Sequence, residues 1–518
     1  MKKTRVITLM LVALLVLTST AFAIEPQLPI YDELTEFTIM VRKDSRSLNT
    51  YNDKQCAIDA EKATNIHVNY IEVPSDAWVE KTNLTFASGE LPDAIIGGDI
   101  NLVQNIGMTA RLNDYISAET TPNIQAIFEK YPDLPGALTL DDGYIHSLPY
   151  GNVGVRTNLI DAQLWINTEW LEKLELDMPT TVDEFYDVLV AFRDNDPNGN
   201  GKADEIPLLA NEVSTTYSIM NMLGFFGTLD DTRLGAEHIR IENGTAIFTP
   251  AEDRYYEALC WLHKLYSEGL IWKDVFTADY NDYLAKGSSE ECIVGCVIDW
   301  YKDCVITTDA VNNFELMMPV KADDDTEVLW NMSYFGRSLD MFVITTACRD
   351  PEALVRWYDY INSDMTIQLT WFQSPENVLW RYNDAGEWTT FTDNVPADTT
   401  STIMRRNVAV GPTVPVYFLS DMQSLSGRYA DKAAAVEAYS VYIPKEYLTD
   451  GFSHADEEES RNMIRVTLDN YLGQFVANAI VNGITEEDWQ KHLNTLTTIG
   501  ADEYTELWQS FYNAHKAA

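Results

Sequence analysis

The chain has 518 residues, 46% of them hydrophobic, and carries 80 acidic against 36 basic side chains. This length exceeds what one hydrophobic core serves, so we expect two or more domains. The formal net charge of −44 at pH 7 repels phosphate backbones and anionic lipids, which argues against nucleic acid and membrane surfaces as partners. Polyanionic ligands are disfavoured for the same reason, although a local basic pocket would override the net charge.

The first 23 residues have the pattern of a signal peptide. Basic residues at positions 2, 3 and 5 precede an apolar run at 6–17 and a small-x-small cleavage site at 21–23. The run is too short to span a bilayer comfortably, and no later apolar run approaches 18 residues. We therefore expect an exported protein, secreted or at the cell surface, that begins near Ile24. No Cys follows the cleavage site, so a lipid anchor on an N-terminal Cys is not expected.

The first part of the mature chain alternates between strand and helix patterns. Strands are predicted at 36–41, 66–73 and 91–98, and helices at 54–65 and 77–88. This alternation predicts an α/β unit with a parallel sheet. Ligands of such sheets gather outside the carboxyl ends of the strands, which makes Gly97, Gly98 and Asp99 a candidate rim. A plain loop is the alternative for the two glycines.

A second unit follows a strand predicted at 143–150. Helices are predicted at 167–174, 183–192, 255–265 and 351–361, and strands at 293–298 and 341–346. From about residue 460 the pattern is mostly amphipathic helix. The six Cys are sparse for a chain that needs no disulfide staples, so we expect most of them to be buried thiols.

The segment 196–205 (DPNGNGKADE) has the ligand spacing of a Ca²⁺ loop. Oxygen-bearing side chains stand at relative positions 1, 3, 5, 9 and 10, and a Gly at position 6 permits the sharp turn. The predicted ligands are Asp196, Asn198, Asn200, the backbone carbonyl of Lys202, Asp204 and Glu205. All of them come from one local loop after a predicted helix, which indicates a structural Ca²⁺ that fixes the helix end. A solvated Asp/Asn/Gly turn and, less favoured, a catalytic metal are the alternatives.

Several motifs in order resemble one family. They are 64–68 (TNIHV), 84–93 (LTFASGELPD), 110–116 (ARLNDYI), 142–149 (DGYIHSLP), 166–171 (INTEWL), 179–185 (PTTVDEF), 269–271 (GLI) and 351–353 (PEA). With the Ca²⁺ loop, the chain resembles the extracellular solute-binding proteins of bacterial carbohydrate ABC importers. The resemblance is to the long, family 1 type members that take oligosaccharides, and it covers about residues 36–380.

The resemblance implies a periplasmic-binding-protein-like α/β fold with two lobes, a hinge of crossing strands and a ligand cleft between the lobes. The first lobe would hold residues 24–150 and about 340–395, and the second 151–339 and about 396–518. It implies sugar capture by lobe closure without catalysis, delivery to the permease subunits of an ABC transporter, and a monomer. The usual member is a lipoprotein, and this chain departs from that pattern.

Aromatic and polar side chains supply candidates for sugar binding. The resemblance places a sugar-stacking aromatic at Trp300, directly after the strand predicted at 293–298. Other candidates, in loop-like segments, are Trp330, Tyr334, Trp371 and Tyr417. Most of the 13 Trp and 27 Tyr are expected in the core. Asp99 and Arg156 are the polar candidates, with a surface salt bridge as the alternative for Arg156.

Three other function classes compete with this interpretation. A secreted glycosidase needs two carboxylates, but with 80 acids any pair can be found. The chain has no Gly-x-Ser-x-Gly or His-Glu-x-x-His motif. A receptor for peptides or another solute on the same fold stays open, because fold does not determine the ligand. A surface adhesin is disfavoured by the absence of sequence repeats.

Overall fold

The computed structural model describes residues 27–45, 47–151, 159–160, 162–212, 218–230, 238–332, 337–396, 401–411, 413–418, 428–448, 451–452 and 454–515. Within these stretches, none of the helices combines the length and the apolar character needed to cross a membrane. All six Cys are free thiols, and Cys56, Cys296 and Cys348 are buried.

The described strands, in chain order, are β1 (Thr35–Lys43), β2 (Ile66–Pro74), β3 (Ala94–Ile96), β4 (Ser147–Gly151), β5 (Gln163–Asn167), β6 (Ile206–Leu209), β7 (Ile239–Glu242), β8 (Thr245–Phe248), β9 (Val294–Asp299), β10 (Phe314–Met317), β11 (Arg337–Ile344), β12 (Trp380–Tyr382) and β13 (Trp388–Thr390).

The described helices are α1 (Gln55–Thr64), α2 (Trp78–Ser88), α3 (Pro122–Lys130), α4 (Leu134–Leu138), α5 (Thr168–Lys173), α6 (Val182–Asp194), α7 (Asp253–Ser267), α8 (Tyr280–Gly287), α9 (Pro351–Ile361), α10 (Met365–Phe372), α11 (Ser401–Val408), α12 (Arg428–Tyr439), α13 (Ala455–Asn482), α14 (Glu486–Thr498) and α15 (Ala501–His515).

Local sequence explains where several helices begin and end. The side chain of Thr181 accepts a hydrogen bond from the Glu184 backbone N–H, and Glu184 accepts one from the Thr181 N–H, which forms a capping box at the start of α6. Helix α9 begins at Pro351, with the Asp350 carboxylate as its cap. Helix α9 therefore begins at the predicted residue, and α6 begins one residue before the predicted position 183.

The first lobe is built on a five-stranded sheet in the order β2-β1-β3-β11-β4. Strand β1 pairs in parallel with β2 and β3, which confirms the parallel arrangement predicted from the alternating pattern. Strand β11 is antiparallel to both β3 and β4, although it comes from much later in the chain. Helices α1 and α9 contribute buried residues to the core on one face of this sheet.

The second lobe is built on a four-stranded sheet in the order β10-β5-β9-β6. Strands β6 and β9 are parallel, and β5 is antiparallel to β9 and β10. Its core takes buried residues from α6, α7 and α13. The hairpin β7–β8 packs with α13, α14 and α15 in a further apolar cluster.

The described residues place three crossings between the lobes. The chain leaves the first sheet after Gly151 and enters the second at Gln163, and it returns between Trp330, in the second core, and Arg337, in the first sheet. The third crossing lies between Phe418 and Arg428. Val410, Val414 and Val416 are buried in the first core, so the first lobe extends to about residue 418 and not to the predicted 395. The segment that follows α11 therefore contributes side chains to the first-lobe core.

Candidate ligand-binding cleft and calcium loop

The strand registers show which edge of each sheet faces the other lobe. In the first sheet, Phe342 of β11 pairs with Ile96 and Arg337 with Gly151, so the carboxyl end of β3 lies on the edge where β4 leaves. In the second sheet, Gln163 pairs with Asp299, so β9 ends beside the start of β5. The residues that follow β3 and β9 therefore line the edges that carry the interlobe connections.

The first-lobe rim contains Asp99, as the sequence predicts. Its exposed carboxylate lies 2.5 Å from Nη1 of Arg42, at the end of β1. A Cβ at Gly97 would come within 2.6 Å of Arg42 and of the Trp78 ring, so only glycine fits there. The Trp78 indole N–H donates to the Gly98 carbonyl at 2.7 Å. These contacts position Asp99 at the rim, where its contact with a ligand stays a prediction.

The second-lobe rim contains Trp300, half-buried, directly after β9. Its ring centroid lies 6.0 Å from that of Tyr429, on α12. The Arg428 guanidinium and the Lys432 ammonium each lie 5.1 Å from the Trp300 ring. Trp300 and Tyr429 together form the second-lobe wall. This aromatic surface is flanked by cations, in a protein whose overall charge is strongly negative.

Asp299 lies under this wall and is buried. Its carboxylate accepts hydrogen bonds from the Trp300 backbone N–H at 2.7 Å and from the Tyr283 hydroxyl at 3.1 Å. Burial raises the pKa of Asp299 to about 7, against the opposing effect of these hydrogen bonds and of the Lys432 charge. The protonated and ionised forms of this carboxyl are therefore both populated near neutral pH.

Arg405, on α11 of the first lobe, lies within electrostatic range of the Tyr429 hydroxyl of the second lobe and of the Tyr150 hydroxyl of the first. Its Nη1 donates to Gln373 at 3.4 Å. Its Nε–H is shielded from solvent and has no acceptor among the described residues. Burial lowers the pKa of the guanidinium. Arg405 thus brings a positive charge toward the second-lobe wall.

Three of the predicted aromatic contacts are core residues. Trp330, Trp371 and Tyr417 are at most 2% exposed. The Trp330 indole N–H donates to the Ala162 carbonyl at 2.8 Å, and Tyr417 packs against Tyr131. The prediction of a loop position is wrong for Trp371, which lies in α10. The apolar surface of these rings is already covered by neighbours, so we leave them out of the site. Arg156 and Tyr334 lie outside the described residues.

The predicted Ca²⁺ loop is held by short-range hydrogen bonds. Asp196 Oδ1 accepts from the backbone N–H groups of Gly199 at 3.0 Å and Asn200 at 3.1 Å, and its Oδ2 accepts from Gly201 at 3.0 Å. The Asn200 amide nitrogen donates to Asp204 Oδ1 at 3.1 Å. Gly199 and Gly201 have φ of 75° and 76°, which only glycine adopts freely. The loop therefore gathers its predicted ligands around one turn.

The surroundings of the Glu205 carboxylate indicate whether these residues fit a cation. Its Oε1 is buried and has no hydrogen-bond partner among the described residues. Burial raises the pKa of Glu205, and the negative charges of Asp204 and Asp196 raise it further. A divalent cation would satisfy this oxygen and neutralise the carboxylates.

The donor atoms that the loop offers limit which metal ions can bind there. Among the described residues no three His, Cys, Asp or Glu side chains form a metal-binding group. Asp196, Asp204 and Glu205 are therefore not gathered around one point in this structure, and a shell built from this loop would also need the amide oxygens of Asn198 and Asn200 and the Lys202 carbonyl. An all-oxygen set of this kind suits a hard cation such as Ca²⁺ better than Zn²⁺ or Cu²⁺, which favour nitrogen and sulfur ligands.

Comparison with known proteins agrees with this geometry. Residues 51–366, more than half of the chain, match the model of the bacterial extracellular solute-binding protein family. The chain belongs to this family, which confirms the resemblance, and the matching solved structures confirm the two-lobed α/β fold.

Individual relatives cover nearly the whole chain. The chain is 26% identical over 493 residues to the fructooligosaccharide ABC transporter substrate-binding protein FusA of Streptococcus pneumoniae, covering 90% of this chain and 88% of the relative. It is similar in fold to an HMO-binding, ABC-transporter-associated solute-binding protein from Bifidobacterium longum infantis, with a TM-score of 0.84, 23% identity and coverage of 94% and 100%. A structure of the S. pneumoniae FusA EF-hand mutant in complex with fructo-nystose matches with a TM-score of 0.77, 24% identity and coverage of 93% and 99%.

Sequence reasoning missed part of the rim. Arg42, Arg405, Arg428 and Tyr429 carry no local motif, and the last three lie beyond the span of the resemblance. The one available signal was position, since Arg42 ends a predicted strand of the parallel sheet.

Proposed function

We propose that this protein is the extracellular substrate-binding component of an ABC importer and that it captures an oligosaccharide between its lobes. The observation that carries the proposal is the half-buried Trp300 ring on the second-lobe edge that faces the first lobe. Aromatic faces pack against the apolar C–H faces of sugar rings, while hydroxyls need polar partners such as Arg42 and Asp99. The names of the relatives from S. pneumoniae and B. longum infantis, which specify oligosaccharides, support the same ligand class.

The proposed mechanism is capture by lobe closure. In the open state each rim can make only its own contacts with the sugar. A ligand that touches Trp300 on one lobe and Asp99 on the other stabilises the closed state by the difference between its affinities for the two states. A membrane permease then recognises the closed form. The ligand is released unchanged, so we assign no catalytic residues.

We also propose a structural Ca²⁺ in the loop 196–205. Asp196, Asp204 and Glu205 would supply charge, and the Asn198, Asn200 and Lys202 oxygens would complete the shell. When bound, the ion would neutralise neighbouring carboxylates and link the end of α6 to β6. The loop belongs wholly to the second lobe, so the ion would stabilise that lobe without contacting the sugar.

Export by the leader at 1–23, action as a monomer and partnership with the permease subunits of an ABC transporter complete the proposal. Membership of an extracellular family supports an extracytoplasmic location. A net charge of −44 favours a monomer because like-charged copies repel each other.

The test is a thermal-shift screen of the mature protein against a panel of oligosaccharides, with and without Ca²⁺. A ligand that binds only the native state raises the melting temperature. We expect one sugar class to raise it, with no new product after incubation. A shift with peptides alone would favour a receptor for another solute, and sugar turnover would overturn the binding-protein assignment.

A further inference from the structure

We propose that the captured oligosaccharide carries a carboxylate, bound by Arg405 of the first lobe and Arg428 of the second beside the Trp300 ring. This inference rests on the proposed function and adds the chemical class of the ligand. Its basis is a pair of guanidinium groups, one from each lobe, that both lie within electrostatic range of Tyr429.

Both arginines retain an unused donor. The Nε–H groups of Arg405 and Arg428 are shielded from solvent and have no acceptor among the described residues. A shielded donor without an acceptor is unfavourable, and a native structure normally satisfies it with protein, water or ligand. Two such donors, one on each lobe, are available to an acceptor-rich ligand.

Tyr429 connects the two guanidiniums. The Arg428 guanidinium lies 5.8 Å from the Tyr429 ring, and the Arg405 guanidinium lies within electrostatic range of the Tyr429 hydroxyl. Because Trp300 packs against Tyr429, a sugar ring stacked on Trp300 would hold its substituents near both donors.

The existing acceptors leave capacity for a ligand. Arg428 lies 3.0 Å from the Asp303 carboxylate through Nη2, and the same Nη2 donates to the Cys304 sulfur at 3.4 Å. Arg405 has only the neutral Gln373 amide oxygen as a hydrogen-bond acceptor within the described part of the chain. Its charge therefore lacks a directly bonded carboxylate, whereas its neighbour Arg406 is bonded to Asp44 at 2.6 Å.

A carboxylate fits these donors better than hydroxyls do. It accepts several hydrogen bonds at once and matches the planar guanidinium fork, and a charge-assisted bond is stronger than a neutral one. Asp303 already offsets part of the Arg428 charge, so the uncompensated positive charge comes mainly from Arg405. A neutral sugar would leave the positive charge of Arg405 uncompensated on closure.

The test is calorimetric titration of the Ca²⁺-loaded mature protein with matched sugar pairs. The probes are trimers of galacturonate, guluronate and mannuronate, each with its methyl ester, together with 3′-sialyllactose and the neutral trisaccharide kestose. We expect one acidic sugar to bind at least about tenfold more tightly than its uncharged ester. Raising NaCl from about 50 to about 500 mM should weaken the acidic ligand selectively.

The variant Arg405→Gln should lower the affinity for the acidic sugar by roughly 10- to 100-fold and bring it near that of the ester. Arg406→Gln, one residue away on the same helix, removes the same charge and should leave affinity unchanged. Arg428→Gln is the second variant, used if the melting temperature shows that Arg405→Gln is misfolded.

Each outcome decides the proposal. Tight binding of kestose or of the esters, equal to or above that of the acids, overturns the carboxylate and leaves the sugar receptor intact. Unchanged acidic-sugar affinity in folded Arg405→Gln and Arg428→Gln also overturns it. Binding of none of these sugars, acidic or neutral, removes both the carboxylate and the proposed oligosaccharide function.

Discussion

The calcium-type loop and the interlobe cleft are organised in opposite ways. The loop takes all its candidate ligands from ten consecutive residues, 196–205, and holds them mainly with hydrogen bonds inside the loop, to which Glu291 adds one long-range acceptor for the side chains of Asn200 and Lys202. The cleft draws Asp99, Trp300, Arg405 and Arg428 from segments more than a hundred residues apart, apart from the last two. A site made of local turns keeps its shape wherever the lobes lie, whereas a site shared between lobes changes with their separation. We therefore expect the loop to govern stability and the cleft to govern affinity.

Removal of the metal should give the largest effect. A Ca²⁺ that binds only the folded state contributes about 4 kcal/mol when its free concentration is 1,000 times its Kd. Chelation should therefore lower the melting temperature by several degrees, and Asp204→Ala should abolish this dependence on Ca²⁺. Sugar affinity measured below the new melting temperature should change little.

Asp187→Ala, which removes an exposed acid of the neighbouring helix α6, is the control for Asp204→Ala and should keep the full response to Ca²⁺. A melting curve that chelation leaves in place would remove the metal from the loop and weaken the contrast with the cleft.

Truncation of the aromatic wall should give the next largest effect. Trp300→Ala removes the ring proposed to stack on the sugar and should weaken binding by about 1–3 kcal/mol, with little change in melting temperature. Trp300→Phe keeps an aromatic face and should retain much of the affinity. Titration of both variants with the sugar found in the thermal screen provides the measurement. Unchanged affinity of Trp300→Ala would exclude this ring from the site.

The pH dependence of stability should depend on Asp299. Burial raises its pKa from 3.8 to about 7, so the folded state binds this proton more tightly than the unfolded state. The contribution to stability is complete below about pH 4 and is lost as the pH rises through about 7. Asp299→Asn should remove this loss and gain on the order of 1 kcal/mol relative to the parent near pH 8.

Unfolding of Asp299→Asn and parent in urea at pH 5, 6, 7 and 8 would measure the difference. Comparison at each pH cancels other titrating groups, such as His492, whose burial lowers its pKa to about 4. A constant difference between the two proteins across this range would show that the Asp299 proton does not respond to folding.

The smallest effect should come from the contact between the start of α13 and the first lobe. Phe452 packs against an apolar cluster on the first sheet, and His454 Nδ1 lies 2.7 Å from Asp141. The hydrogen bond to Asp141 raises the pKa of His454, so the ion pair exists at low pH and is lost as the pH rises. Because the pair is exposed, His454→Gln should weaken sugar binding by no more than about threefold at pH 6.

At pH 8 the His454→Gln variant and the parent should bind the sugar equally. A deficit that persists unchanged at pH 8 would assign the effect to the packing of Phe452 and not to the ion pair.

Most of the first lobe was predictable because its signals are local. The strands β1 and β2 and the helices α1 and α2 follow from hydrophobic periodicity and from their boundary residues, and their alternation implies the parallel pairing that the sheet adopts. The position of β11 in the middle of that sheet was not predictable. Its partners Ile96 and Leu148 lie some 200 residues earlier, and no local pattern records such a pairing.

The aromatic candidates also differ in how far the sequence predicts their positions. Trp300 was predictable as a rim residue because it follows a strand, and strand ends face the ligand side of an open sheet. Trp330 and Tyr417 were indistinguishable from it by sequence, since an aromatic outside a regular element can point toward solvent or into the core. The structure places both in the core. The Trp330 indole N–H donates to the Ala162 carbonyl, and the Tyr417 ring packs against the Tyr131 ring.

The sequence by itself determined the α/β class and the family, and it predicts the Ca²⁺ loop at 196–205, because periodicity, turn chemistry and ligand spacing act over a few residues. Only the tertiary structure decided which charges meet in the cleft. Arg405 and Arg428 belong to different lobes, and both lie within electrostatic range of Tyr429. The proximity of both arginines to Tyr429 depends on how the two packed cores are placed relative to each other. That placement results from many long-range contacts acting together.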